Sequence, residues 1–140
     1  MIKLTLITIG TLPKGPFHSI GEVFHTRLKK FVILTTKILK SPDDILKSIP
    51  KGDTIIVLDA IGPKFTSESL AATFKTYEDQ GIHITIILGG PHGLPESLKS
   101  TAHLRLSLSP LTTTHDLAHL FFLEQLYRIC TINHGVTYHY

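Results

Sequence analysis

Three loops rich in glycine or small polar residues are the places where this sequence could hold a ligand. They cover residues 59–64, 89–94 and 108–114, and each follows an apolar run. Glycine lets a ligand approach the backbone closely, although a tight turn explains any one of these glycines equally well. The chain has neither a G-x-G-x-x-G pattern nor a G-x-x-x-x-G-K-[ST] pattern. A dinucleotide site and a P-loop are therefore disfavoured.

Two histidines have the spacing of a metal-binding pair. His115 and His119 lie four residues apart with Asp116 between them, and this spacing can hold a metal ion on one face of a helix. There is no H-E-x-x-H pattern and no obvious third ligand nearby. We therefore interpret the two as surface histidines and predict no metal site.

Arg128 and the C-terminal tail are the remaining candidates for contacts with an anionic or aromatic partner. The guanidinium of Arg128 suits phosphate, and an i,i+4 ion pair with Glu124 is the alternative. In the tail, Tyr138 and His139 are residue types that stack on unpaired RNA bases. The alternative for the tail is a frayed terminus, which is common for last residues.

The elements that must position these residues alternate along the chain. Apolar periodicity predicts strands at residues 2–9, 31–36, 53–59, 82–88 and 104–108. Helices are predicted to begin near Phe17, Pro42, Ser67, Pro95 and His115. Such alternation is typical of an α/β fold with a mostly parallel sheet sandwiched by helices, here one domain over residues 1–140. Ligands of these sheets bind beyond the carboxyl ends of the strands, where the three loops are expected.

The last predicted helix, residues 115–132, is apolar in almost every direction. A helix of this kind is buried on more than one side. We expect it to form a dimer interface, with Phe121 or Phe122 against a second subunit. A central core helix is the alternative.

Composition excludes several classes of protein. With 42% hydrophobic and 18% charged residues, the chain is too apolar to be disordered. No apolar run reaches the length that spans a bilayer, and the N-terminus has the pattern of a strand rather than of a signal peptide. The single Cys130 excludes an internal disulfide and a multi-cysteine zinc site, so we expect a cytoplasmic protein. A net charge of +3 permits an anionic partner without requiring one.

Five segments together resemble the bacterial large-subunit ribosomal RNA methyltransferase H family. They are IKLTLITIGT near the N-terminus, VLDAIGPKFTSESLA, ILGGPHGL, LSLSPLTTTHDLAHLFFLEQLYR and a terminal YH. The first segment is similar to the first strand of the family. For the other four, in order, the family's patterns are roughly VxLDxxGKxxSSExxA, IGGPEGL, LSxMTxPHxxxRxxLxEQxYR and PYH. The resemblance covers the whole chain.

This resemblance implies a fold and an activity. The family belongs to the SPOUT class, α/β domains whose C-terminal part forms a trefoil knot. Its members are homodimers that use S-adenosylmethionine. They methylate N3 of a pseudouridine in 23S rRNA on the assembled ribosome, which makes the ribosome the expected partner.

The resemblance also implies which residues act. Arg128, Tyr138 and His139 match the family's YR and terminal YH and are expected to be catalytic, with neutral His139 a natural general base. We expect the free tail to be mobile and to fold over a cofactor pocket, which the partner subunit could supply. The implied cofactor contacts are Leu58, Gly89, Gly90, Leu108, Ser109, Pro110, Leu111, Thr112 and Thr113.

Several positions depart from the family pattern. His92 stands in place of a glutamate, His119 in place of an arginine, and Thr137 in place of the proline before the tail tyrosine. Cofactor binding through backbone groups should survive these changes, whereas lost basic residues are lost phosphate contacts. Two alternatives follow: a non-catalytic ribosome- or RNA-binding module on the same fold, or a SPOUT methyltransferase with another RNA target.

Overall fold

The computed structural model describes residues 1–90 and 92–140, so that Pro91 in the predicted loop 89–94 lies outside the described residues. Five strands form one sheet in the order β2-β1-β4-β3-β5, and all four pairings are parallel. The strands are β1 (Ile2–Ile9), β2 (Val32–Leu39), β3 (Thr54–Leu58), β4 (Ile84–Leu88) and β5 (Leu104–Leu106). The helices are α1 (Pro16–Leu28), α2 (Ile45–Ser48, after a 3-10 turn), α3 (Ser67–Asp79), α4 (Glu96–Thr101) and α5 (His115–Asn133). The predicted α/β fold with a parallel sheet is confirmed.

The two edge strands differ from their predicted lengths. β2 extends to Leu39, because it pairs in register with the whole of β1, from Ile2 opposite Val32 to Ile9 opposite Leu39. Lys37 interrupts the apolar run and hides this extension, but its ammonium group donates to the Ser48 carbonyl at the edge. β5 has only three residues, because the chain leaves the sheet after Leu106.

The core lies on both faces of the sheet. One cluster lies between the sheet and helices α1, α3 and α5, and the other is closed by Ile45 of α2 and Leu98 of α4. The broken alternation in β1 follows from this arrangement. Leu4 and Leu6 contribute to the first cluster and Ile7 to the second, because the far end of a central parallel strand is covered on both sides.

Helix α5 is wrapped mainly by its own chain. It packs against α1 and α3, and Phe122 and Leu126 are fully buried within the first cluster. The alternative of a core helix therefore holds for most of α5, and Phe122 is buried by its own chain rather than exposed for a second subunit. Phe121 points outward and is 38% exposed, next to the exposed Leu117 one turn earlier.

The tail packs back onto the protein body. Gly135 has a φ of +66°, and the Val136 amide donates to the carbonyl of Thr131 at 3.0 Å. This is the Schellman ending of a helix, in which a left-handed glycine reverses the chain. Tyr138 then lies against Tyr127 of α5, with ring centroids 4.8 Å apart. The expectation of a free, unanchored tail is thus not what the structure shows.

In the described part of the chain, no helix is both long enough and apolar enough to cross a membrane.

Candidate functional site

A cavity of about 300 Å³ opens at the carboxyl edge of the sheet. Because β4, β3 and β5 are neighbours and parallel, the loops that follow them meet there. Of the nine predicted cofactor contacts, only Pro110 is not part of the described lining. The other eight, which line the cavity together, are Leu58, Gly89, Gly90, Leu108, Ser109, Leu111, Thr112 and Thr113.

The two glycines of the loop after β4 have different reasons to be glycine. A Cβ on Gly89 would lie 3.0 Å from Leu94 Cγ and 3.1 Å from the Gly93 carbonyl carbon, so the loop itself needs this glycine. A Cβ on Gly90 would make only ordinary contacts, the nearest 3.5 Å from the Ile9 carbonyl oxygen. Packing within the chain therefore does not require Gly90, and its bare backbone can accommodate a ligand.

A group of charged residues closes one side of the cavity. The Asp59 side chain is nearly buried and lies 3.4 Å from the Lys99 ammonium group and 3.8 Å from the Arg105 guanidinium group. Asp59 also caps its own turn by accepting from the Ile61 amide. Lys99 lines the cavity with Asp59, a contribution that the sequence analysis missed because β3 and α4 are far apart in the chain.

His115 also lines this cavity and is partly buried, whereas His119 is fully buried. The His115 ring contacts the Thr8 hydroxyl and the Gly89 carbonyl. His119 is only 2% exposed, and burial, with the neighbouring His115 and His25, lowers its pKa to about 4. The interpretation of the pair as surface histidines was wrong for His119, whereas His115 is partly exposed at the cavity wall.

No group of three or more His, Cys, Asp or Glu side chains that could hold a metal ion occurs within residues 1–90 and 92–140.

The three residues expected to be catalytic come together, but on another part of the surface. Arg128 lies over the Tyr138 ring at 4.9 Å from its centroid and donates to His139 Nδ1 at 3.1 Å. Glu124 accepts from both Arg128, at 2.5 Å, and the Tyr138 hydroxyl, at 2.9 Å. Glu68, at the start of α3, lies 2.7 Å from His139 Nε2. We call these five residues the tail cluster.

The hydrogen bonds of the tail cluster define the state of His139. A guanidinium group only donates, so Nδ1 must accept from Arg128 and the ring proton of neutral His139 is on Nε2, facing Glu68. Both ring nitrogens are therefore engaged, and no lone pair is left to take a proton. Burial, and then the hydrogen bond to Glu124, raise the pKa of Tyr138, so its hydroxyl stays protonated at neutral pH.

The tail cluster does not line the large cavity of its own chain, as far as the described lining goes. Between them lies a smaller hollow of about 160 Å³, lined by Phe121, Gln125 and Ser67 among others. Phe121 borders both spaces. The predicted cofactor residues and the predicted catalytic residues are thus two separate groups on one subunit, joined along the outer face of α5.

Comparison with known proteins points to a single family. The family model described as "Predicted SPOUT methyltransferase" matches residues 2–139. A protein of Thermotoga sp. (strain RQ2) named ribosomal RNA large subunit methyltransferase H is 41% identical over 94% of this chain and 92% of its own length. A protein of the same name from Coprothermobacter proteolyticus is 35% identical over 99% of both chains.

A solved structure shares the fold at low sequence identity. A probable methylase family protein from Haemophilus influenzae superposes with a TM-score of 0.65 at 13% identity, over 94% of this chain and 66% of that one. Together with the family match over almost the whole sequence, this leaves one assignment: the chain belongs to the SPOUT methyltransferase family.

Proposed function

We propose that this protein uses S-adenosylmethionine to methylate N3 of a pseudouridine in 23S rRNA on the assembled ribosome. The observation that carries the proposal is the cavity at the carboxyl edge of the sheet, which gathers eight of the nine residues assigned to the cofactor by resemblance. Relatives named ribosomal RNA large subunit methyltransferase H match nearly the whole chain, and this supports the choice of rRNA as substrate.

The residues present at the cavity fit S-adenosylmethionine. Apolar surface for an adenine ring comes from Leu58, Leu108 and Leu111. Hydroxyls and backbone groups for its polar edges come from Ser109, Thr112 and Thr113. Gly90 leaves its backbone open to a ligand, with no other packing reason to be glycine. When bound, the cofactor supplies a methyl group that is already activated by its sulfonium centre, so the protein must mainly align the acceptor.

The acceptor nitrogen is an imide that must lose its proton as it forms the new bond. We assign the base to His139, with Tyr138 stacking on the RNA base and Arg128 facing phosphate. In the docked tail both nitrogens of His139 are engaged by Arg128 and Glu68. The tail must therefore leave this position, or exchange these partners, before His139 can accept a proton.

A homodimer supplies the arrangement that a single chain lacks. The tail cluster lies apart from the cavity of its own chain, whereas the tail of a second copy could reach that cavity. Leu117 and Phe121 expose apolar surface beside the cavity, which is suited to contact with another subunit. We extend the proposal to a homodimer with active sites built from both chains, to the trefoil knot of the family in the C-terminal part, and to a cytoplasmic location where ribosomes are the substrate.

A non-catalytic RNA-binding module on the same fold is the second candidate. One observation favours it: His119, which replaces an arginine of the family pattern, is buried with its pKa lowered to about 4 and carries no charge at neutral pH. A methyltransferase with another RNA target is the third.

Two measurements separate these functions. Calorimetry with S-adenosylmethionine on the purified protein should give binding for either methyltransferase and none for the module. Mass spectrometry of rRNA nucleosides from cells lacking the gene should then show loss of an N3-methylated pseudouridine, restored by the wild-type gene and not by one encoding His139→Ala. Loss of a different methylated nucleoside would support the third candidate.

A further inference from the structure

The His115 ring joins three parts of the chain that are far apart in sequence. Its Nδ1 lies 2.9 Å from the carbonyl oxygen of Gly89, the residue directly after β4. Its Nε2 lies 3.1 Å from the hydroxyl oxygen of Thr8, near the end of β1. His115 itself is the first residue of α5. One imidazole therefore ties the central strand, the glycine loop and the last helix together.

The chemistry of the two contacts defines where the ring proton lies. A carbonyl oxygen only accepts, so the Nδ1 of His115 must carry a hydrogen. In the neutral ring, Nε2 then has a lone pair and accepts from the Thr8 hydroxyl. Thr8 is fully buried, and this hydrogen bond satisfies a hydroxyl that would otherwise be costly in the core. Thr8, the polar residue that interrupts the apolar pattern of β1, thus has its hydrogen-bond partner on α5.

This arrangement sits at the point where the glycine loop leaves the sheet. Thr8 pairs in register with Leu88, the last residue of β4, so that Thr8 and Gly89 face His115 from adjacent strands. His115 also lines the large cavity beside Gly89 and Gly90. The position of the ring therefore bears directly on the path of the loop that forms one wall of the cavity.

We infer that His115 is a positioning residue that holds the Gly89 carbonyl and thereby shapes the cavity for S-adenosylmethionine. The inference rests on the proposed placement of the cofactor in that cavity. With both nitrogens in hydrogen bonds, His115 is not a proton acceptor for the reaction; it acts through the loop. The Gly89 contact should matter more for the ligand than the Thr8 contact, because Gly89 is part of the cavity wall and Thr8 is not.

Two amide substitutions separate the contacts. In His115→Asn the amide nitrogen can take the place of Nδ1 and donate to Gly89, whereas in His115→Gln the amide reaches the place of Nε2 and Thr8. We expect calorimetry to give an S-adenosylmethionine affinity for His115→Asn within about twofold of wild type. His115→Gln should bind roughly three- to tenfold more weakly, the effect of one net hydrogen bond. Thr8→Val is the matched control and should lower the unfolding temperature more than the affinity.

The outcomes distinguish the positioning role of His115 from the proposed location of the cofactor. Equal losses of affinity in His115→Asn and His115→Gln, or a larger loss in His115→Asn, would overturn the positioning role. Unchanged affinity in both would overturn it too. Gly90→Val tests the site itself: if that variant binds as wild type, the cofactor lies elsewhere and the inference fails with the site, whereas weak binding by Gly90→Val with normal binding by His115→Gln removes only the inference.

A spectroscopic measurement keeps the inference testable if the variants fold poorly. Nitrogen-15 NMR of the histidine rings in the wild-type protein should show His115 at pH 7 as the tautomer with hydrogen on Nδ1. This tautomer is the less common one in water, and a purely steric role for the ring would not select it. Hydrogen on Nε2 alone would contradict the Gly89 contact and overturn the inference.

Discussion

The Nε2 atom of His139 lies 2.7 Å from a carboxylate oxygen of Glu68, so that a hydrogen bond connects the end of the chain to the beginning of α3. The same hydrogen bond lowers the pKa of Glu68. A group with a lowered pKa stabilises the docked state at pH values above its ordinary pKa, and this contribution is lost as the pH falls through the lowered value. The contact with Glu68 therefore favours the docked tail at neutral pH.

Removal of the tail should separate cofactor binding from catalysis. A protein that lacks residues 138–140 should keep its affinity for S-adenosylmethionine, because none of these residues is in the described lining of the large cavity. It should lose most methyl transfer to ribosomes. His139→Ala in the full chain should lower kcat by roughly 100-fold, as for a missing general base. Methyl transfer at the wild-type rate by the shortened protein would show that the tail is only a docked end.

The matched control for the tail is Glu68→Gln. This substitution removes a charged partner of His139 and leaves the proposed base, the cofactor cavity and the Arg128 contact in place. We expect unchanged cofactor affinity and a methyl transfer rate equal to or above that of wild type. A loss as large as that of His139→Ala would mean that the Glu68 contact belongs to the active arrangement.

The two neighbouring glycines should respond in opposite ways to a side chain. Gly90→Val should fold and lose S-adenosylmethionine affinity by roughly 5- to 150-fold, since a side chain in the space that the cofactor needs costs about 1–3 kcal/mol. Gly89→Ala should instead lower the unfolding temperature, because its Cβ would lie 3.1 Å from the Gly93 backbone. Calorimetry and thermal unfolding on both variants make the comparison. Normal binding by a folded Gly90→Val would remove the cofactor from this loop.

Burial of His119 predicts a specific loss of stability in mild acid. Its pKa is lowered from 6.5 to about 4, so the unfolded chain takes up a proton more readily than the folded one. The sign follows: His119 has no effect at pH 7 and reduces the free energy of unfolding as the pH falls from 6.5 towards 4. At pH 5 the loss should be about 2 kcal/mol.

The variant His119→Leu should lack this part of the pH dependence. Urea unfolding of both proteins at pH 7 and pH 5 isolates the effect, because the other titrating groups are shared. An identical pH dependence in the two proteins would mean that the His119 ring is not held in a buried, neutral state.

The outward-facing Phe121 provides the test of the dimer. Phe121→Asp would bring a charge into the proposed dry interface, so we expect a folded monomer in place of the proposed dimer. Phe122→Ala is the contrasting variant: it should cost about 3–5 kcal/mol of stability, because Phe122 is buried within its own chain. Sedimentation of a monomeric wild type at micromolar concentration would end the dimer proposal.

Periodicity in the sequence was sufficient for the sheet and for the location of the cavity. The apolar runs around Ile56 and Ile86 predicted parallel strands, and both strands are buried in the structure. The loops that follow two parallel strands had to meet at one edge of the sheet. The order of the strands was not accessible in this way, since nothing local in β5 indicates that it pairs with β3.

The burial and contacts of residues that meet distant parts of the chain could not be predicted from the sequence. His119 has a polar side chain on a helix and was expected at the surface, but it is buried beside α1, which packs against α5, and lines a hollow there with His25 and Ile38. The docking of Tyr138 depends on Tyr127 and Glu124, eleven and fourteen residues earlier. A chain reversal at Gly135 brings Tyr138 to these two residues. A single glycine after a helix predicts the reversal but not which residues the tail will contact.

That reversal at Gly135 also sets a tether length. From Gly135 to His139 there are four residue steps, which span at most about 14 Å when fully extended. If the His139 of one subunit serves the cavity of another, Gly135 of the first must lie within that distance of the cavity in the second, plus the reach of the imidazole. Parallel, side-by-side placements of two α5 helices that leave a longer gap are excluded for an active dimer. The short tail therefore limits how far apart the two subunits can place Gly135 and the cavity, whichever residues form the interface.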